Sequence, residues 1–257
     1  MPHDESWFSF LPNYDALVAL ARRLNGEVSP DGLSWYAHQP VQIQHVLGLI
    51  FVVLVLLVFG LVTFSKIKNT QDAVVPEGKF SIRTFVELFT SYVYNQMSNM
   101  MGRKAAKFFL PLIGTCAFVI FFSNFLGLLP FFPVPTSNLN TTAALAIVIF
   151  FATHIFGVKE HGIAYFKHFL GPYLPLAPLM VVIEIISHLA RPLTLAVRLM
   201  ANMTADHLVL GIFIGLVPFV VPLPLYALGG IVVTVQTLVF CLLSTVYISM
   251  AIAHEGH

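Results

Sequence analysis

Long apolar runs alternate with short polar stretches along this chain, and the lengths of the runs predict its elements. Residues 45–64 make the first span, about 20 residues, enough for an ~30 Å hydrocarbon core, and it stops at Lys66 and Lys68. The second covers about 108–129 and is closed by Pro130, Pro133 and Pro135, which predict a tight loop. The third covers about 141–156. A polar loop over 157–172 follows, with Lys159, Glu160, His161, Lys167 and His168, and Gly157 and Gly162 argue against a regular helix there. From 173 to 210 the pattern stays helical, about 55 Å at 1.5 Å per residue, so this helix must lean strongly to fit a bilayer. Pro192 predicts a bend in it, because its ring meets the carbonyl of His188. A proline-rich turn, LVPFVVPLPLY, leads to the last span, 227–252.

Two shorter stretches alternate instead of running apolar. Residues 79–100 place Phe80, Phe85, Leu88 and Tyr92 at helical spacing, with Arg83, Glu87 and Gln96 elsewhere. This predicts an amphipathic helix along the membrane surface. Residues Pro12 to Leu24 predict a short interfacial helix. The fold class expected is therefore all-α and integral to a membrane. It has about five transmembrane helices plus an amphipathic interfacial helix, and the last two helices form a long, strongly tilted hairpin. Residues 1–44 are expected as an extracytoplasmic segment and 45–257 as one membrane domain.

Composition agrees: 58% of residues are hydrophobic and 10% charged, which excludes an ordinary soluble domain. A net charge of +1 gives no reason to expect a nucleic acid. Seven of the thirteen Lys and Arg residues fall in 66–107, so the positive-inside rule puts that stretch in the cytoplasm and the N-terminus outside. An odd number of crossings then puts the C-terminus in the cytoplasm. No cleavable leader is read at the N-terminus. Cys116 and Cys241 sit in apolar runs and predict neither a disulfide nor a metal site. His154, His161 and His168 are seven apart, but in a glycine-containing loop this spacing reads as solvated residues. The terminal HEGH lacks the HExxH pattern.

The stretch from Glu184 to His207, EIISHLARPLTLAVRLMANMTADH, departs from the apolar pattern. A charge at bilayer depth costs a few kcal/mol or more, so one that is present points to function. At 100° per residue, Glu184, Ser187, His188, Arg191, Thr194, Arg198, Asn202 and Asp206 fall within roughly 120° of one helix face. Such a stripe cannot face lipid. It must meet water in a cavity or a carboxylate on a partner. Arg198 stays protonated, so it is a fixed charge and no relay, whereas Asp, Glu and His can pass protons.

These residues closely resemble the signature of the ATP synthase subunit a family. The matching positions are Ser187, Arg191, Pro192, Thr194, Leu195, Arg198, Leu199 and Asn202. NFLGLLP from Asn124, and VQTLVFCLLSTVYISM with Gln236, also look like family segments. The resemblance covers about residues 40–253.

It implies a stator subunit of the rotary synthase in a bacterial plasma (inner) membrane. Such a subunit is not an enzyme alone and has no cofactor or metal. Implied partners are a ring of small hairpin rotor subunits (c) with membrane carboxylates, a peripheral-stalk subunit (b), the remaining synthase subunits and lipid. The family's essential arginine falls on Arg198. Asn202, Asp206, His207 and Gln236 are expected to line an outer half-channel, and Glu184, Ser187 and His188 an inner one. Arg191 is expected in a structural or exit-side role.

Two positions depart from the family. Asp206 stands where glycine is usual, and Gly229 stands seven before the glutamine, where a His or acid is common. One reading is that Asp206 replaces the missing group, with His207 about 100° away on a different wall. The competing function is a stand-alone cation channel or secondary transporter. That would need its own midplane site between internal repeats, and no repeat is visible.

Overall fold

The computed structural model describes residues 8, 13–24, 43–67, 81–129, 132–162, 177–216 and 222–252. Lys68, Lys79, Phe80, the stretch 163–176, residues 217–221 of the proline-rich turn and the HEGH tail lie outside them. The elements are α1 (Tyr14–Leu24), α2 (Gln44–Ile67), α3 (Ile82–Leu126), α4 (Leu139–His161), α5 (Ala177–Leu216) and α6 (Pro222–Ile252). A 3-10 turn, Pro135–Ser137, joins α3 to α4. No strand occurs among the described residues. The five helices α2 to α6 are each long and apolar enough to cross a membrane, so the fold is all-α with five candidate spans.

α3 combines the amphipathic helix and the second span. Its two limbs, 82–101 and 103–126, meet at Gly102, where φ is 80° and ψ 160°. Only glycine populates that region readily. The limbs lie side by side: Phe89 meets Phe118 with ring centroids 4.4 Å apart, and Phe85 reaches Phe121 and Phe122. Gly102→Ala is expected to lower the stability of the solubilised protein by about 1–3 kcal/mol. A thermal melt beside the wild type checks this.

On the first limb, apolar residues of the amphipathic pattern lie on the uncovered side. Leu88 and Tyr92 are exposed, whereas Val93, Met97 and Arg83 are buried, and Arg83 pairs with Glu87 at 2.7 Å. In an apolar solvent the greasy face gains nothing by turning inward, so packing and polar pairing decide which side is covered.

Helix ends differ from the sequence expectation. α4 runs through Gly157 to His161, where a loop was expected. A single glycine costs a helix only ~1 kcal/mol, which the surrounding packing overrides. α6 begins at Pro222, because proline in a first turn removes no intrahelical bond. α5 extends unbroken through Pro192 to Leu216.

The centre of the protein is the seam of α3, α4 and α6, on which α5 is laid. Cys116 and Ile120 from α3, Ile149 from α4, Leu199 from α5 and Phe240 from α6 share one core cluster. Both cysteines are buried and free. α5 and α6 have 40 and 31 residues, about 60 and 46 Å along their axes. Both exceed the ~30 Å core and must cross it at a strong tilt. α5 is the least covered of the five: 11% of its most apolar window is buried, against 44% for α3 and α6.

Candidate functional site

α5 presents three bands. Leu195, Ala196, Leu199 and Met203 face the core. Leu189, Leu193 and Ile212, on the far side, are 59%, 60% and 60% exposed. The polar residues lie between, along the edge where the covered and uncovered faces meet. The periodicity of the sequence required one stripe, and packing puts it at this edge.

Arg198 sits mid-way along the stripe and is exposed. Among the described residues it has no hydrogen bond or ion pair. Pairing with Asn202, the plain alternative, is not what the structure holds. Asn202 donates from Nδ2 to Oε1 of Gln236 on α6 at 2.8 Å. Gln236 is 5% exposed. Sequence reasoning placed these two on facing helices, and they are joined.

Toward the α5–α6 turn lies a cavity of roughly 790 Å³, the open space at its mouth included. Asp206, His207, Asn124, Leu128 and Gly229 are on its walls. Asp206 also borders an adjoining cleft with Asn202 and Gln236, which His207 does not touch. Asp206 thus stands at the junction of the two spaces, and its neighbour serves one of them.

Gly229 faces this cavity across from Asp206. A Cβ there would come within 2.8 Å of Leu128 Cδ2, the flexible end of a side chain, so Leu128 fills much of the room a larger residue would take. Asn124 accepts a hydrogen bond from Thr136 Oγ1 at 2.6 Å. It is 1% exposed, and its Nδ2 has no partner among the described residues. The sequence placed Asn124 at the start of a family-like segment but did not place it in this cavity.

Toward the start of α5 is a second, smaller cleft lined by His188, Arg191, His154 and Tyr247. Glu184 meets His188 Nδ1 through its carboxylate at 3.4 Å, and its carbonyl accepts from the same nitrogen at 3.0 Å. Arg191 lies over the Tyr247 ring, 5.4 Å from its centroid, a cation–π contact. Ser187 is exposed beside the cleft and is not among the residues lining it. His154, read from its seven-residue spacing as solvated, is instead half-buried on α4, and Tyr247 was missed from sequence. Each lies on a helix whose sequence does not say which of its polar groups meets α5, and only the packing of α4 and α6 against α5 brings them in. No cluster of three metal-ligating side chains occurs among the described residues.

Five long apolar helices, with a polar stripe on one of them and a cleft on either side of an open arginine, define a multi-pass membrane protein. Residues 46–249 match the family described as ATP synthase A chain. The chain is 45% identical over 212 residues to ATP synthase subunit a of Sorangium cellulosum, covering 81% of this chain and 83% of that one. It is 47% identical over 176 residues to the subunit a of a Sulfurihydrogenibium species, covering 68% and 84%. Against that of a Geobacter species it is 46% identical over 199 residues, covering 77% and 85%. The chain belongs to the ATP synthase subunit a family, and so is a non-catalytic membrane subunit of the synthase.

Proposed function

We infer that this chain forms two offset half-channels against a rotor ring, with Arg198 between them. The observation that carries the reading is the open guanidinium of Arg198, on an apolar helix face, between a cleft toward each end of α5. A guanidinium left there needs a counter-charge from outside the chain. Carboxylates of a ring of small hairpin subunits supply it. The uncovered face of α5 receives the ring, and a peripheral-stalk subunit holds the chain still.

With the N-terminus outside, the cavity of Asp206 and His207 opens outward and leads to the adjoining cleft of Asn202 and Gln236. A proton entering it neutralises a ring carboxylate, which then turns into lipid. Near the end of a revolution another protonated carboxyl reaches the cleft of His188, with Glu184 and Ser187 on the same helix turn as the exit-side groups, and approaches Arg198. The fixed charge favours the ionised carboxylate, so the proton leaves to the cytoplasm. Arg198 also repels a proton that would cross directly from one cleft to the other. Arg191, held on Tyr247, keeps the inner end of α5 in place against α6.

The test is reconstitution. Liposomes holding the complete synthase are expected to acidify on ATP addition without Na⁺, and those holding this chain alone are expected to conduct nothing. Steady conduction by the chain alone would favour the stand-alone channel.

The bond between Asn202 and Gln236 gives a second prediction. Asn202→Leu and Gln236→Leu are each expected to slow ATP-driven pumping several-fold, and the double variant to lose no more than either single one. Interhelical hydrogen bonds in membranes average about 0.6 kcal/mol, so assembly should survive. Additive losses in inverted vesicles would separate the two roles.

A further inference from the structure

The small cleft at the start of α5 contains an imidazole that no step above uses. His154, on α4, stands with its ring 5.4 Å from that of His188, at 77° to it. Both rings are half-buried and both line the same cleft. They are anchored alike. His154 Nδ1 is 2.9 Å from the carbonyl of Phe150, and His188 Nδ1 is 3.0 Å from the carbonyl of Glu184. A carbonyl can only accept, so each Nδ1 carries the hydrogen and donates it. The backbone thereby fixes one tautomer in both rings and leaves each Nε2 as the basic atom.

We propose that His154 is a proton-carrying residue of the inner half-channel, working as a pair with His188 across the α4–α5 seam. The inference rests on the assignment of this cleft to proton exit. A proton arriving from the ring side bonds to Nε2 of one imidazole and makes it an imidazolium, whose Nδ1–H stays on its carbonyl. The same Nε2–H bond breaks when the proton passes to the partner ring or to water, and the first ring returns to neutral. No other bond changes. Among the described residues, the charged side chains placed at the pair are Glu184 and Arg191 on α5, and the Tyr247 ring of α6 lies against Arg191. Glu184 and Arg191 already offset each other, so one added proton leaves the group with a single net positive charge. Two would set adjacent imidazoliums beside Arg191, and like charges that close oppose each other. The pair therefore passes protons singly, in step with a rotor that releases one at a time.

The test uses the intact synthase in native membranes, with ATP hydrolysis read in the presence of an uncoupler. Coupled hydrolysis requires proton passage, and the uncoupler removes any bias from a permeant base. His154→Ala is expected to slow this hydrolysis by about 10- to 100-fold, the low end for a positioned proton-transfer group, because water takes part of the path. Added imidazole should restore much of the loss in His154→Ala and leave the wild type unchanged. His154→Phe, which restores ring packing without a basic nitrogen, should stay slow.

Full activity in His154→Ala, or recovery in His154→Phe with no effect of imidazole, would overturn the inference and leave the ring as packing alone. His188→Ala and Glu184→Gln, measured alongside, separate the two levels. If they slow hydrolysis and His154→Ala does not, only His154 is wrongly assigned. If neither changes it, the exit does not run through this cleft and both readings fall.

Discussion

Arg198→Ala is expected to abolish ATP-driven proton pumping while the synthase still assembles. Opposite unit charges 4 Å apart attract by about 4 kcal/mol at an effective dielectric of 20. Removing that attraction raises the barrier to carboxyl deprotonation and slows it by about 10²- to 10³-fold. Assembly should survive because Arg198 is exposed and makes no bond to the rest of the described chain; its neighbours Leu195 and Leu199 hold the helix in place. The same variant should leak protons passively, since no fixed charge then separates the two clefts. Arg198→Lys should also fail, because an ammonium lacks the planar two-point fork that meets a carboxylate. Pumping is read by a pH-sensitive dye in inverted vesicles, and assembly by the amount of complex recovered.

Asp206→Asn has the second largest expected effect, a slowing of about 10- to 100-fold in ATP synthesis driven by an imposed proton gradient, as for loss of one proton-transfer group. Asp206 borders both the outer cavity and the cleft of Asn202 and Gln236, so a proton moving from one to the other passes it. Asparagine keeps the volume and carries no titratable proton. The side chain that the family resemblance puts opposite is absent, since Gly229 occupies that wall and Leu128 fills the space. The comparison variant needs care. Gly127→Ala would bring a Cβ within 2.6 Å of Val134 Cγ2 and 3.2 Å of the Asn124 carbonyl, and so disturb the cavity itself. Gly60→Ala on α2 meets nothing within 4 Å and is the proper control. Equal synthesis rates in Asp206→Asn and Gly60→Ala would remove Asp206 from the path.

The spans were legible because a bilayer demands long apolar runs and allows few other structures. The stripe on α5 was legible because five costly side chains, Glu184, His188, Arg191, Arg198 and Asp206, share one face of a greasy run. Helix ends were less so. Gly157 and Pro222 look like stops in isolation, but one is held by packing and the other sits where a helix lacks donors anyway. The amphipathic pattern of 82–101 declared the helix but not that Arg83 would be buried against the rest of the chain. Pairings between helices were the least accessible. Asn202 with Gln236 was expected from the order of the spans, whereas His154 with His188 depends on the rotation of α4, which a mostly apolar helix does not declare in its sequence.

Cross-linking tests the central claim most directly. Val197 and Ala201 flank Arg198 on the exposed face, and Cys116 and Cys241 are buried away from it. With cysteine at 197 or 201 and a second cysteine one turn from the ring carboxylate, mild oxidation of the assembled synthase should join this chain to a ring subunit. If both positions react only with thiol reagents dissolved in lipid, and never bond to the ring, Arg198 does not face a carboxylate of another chain.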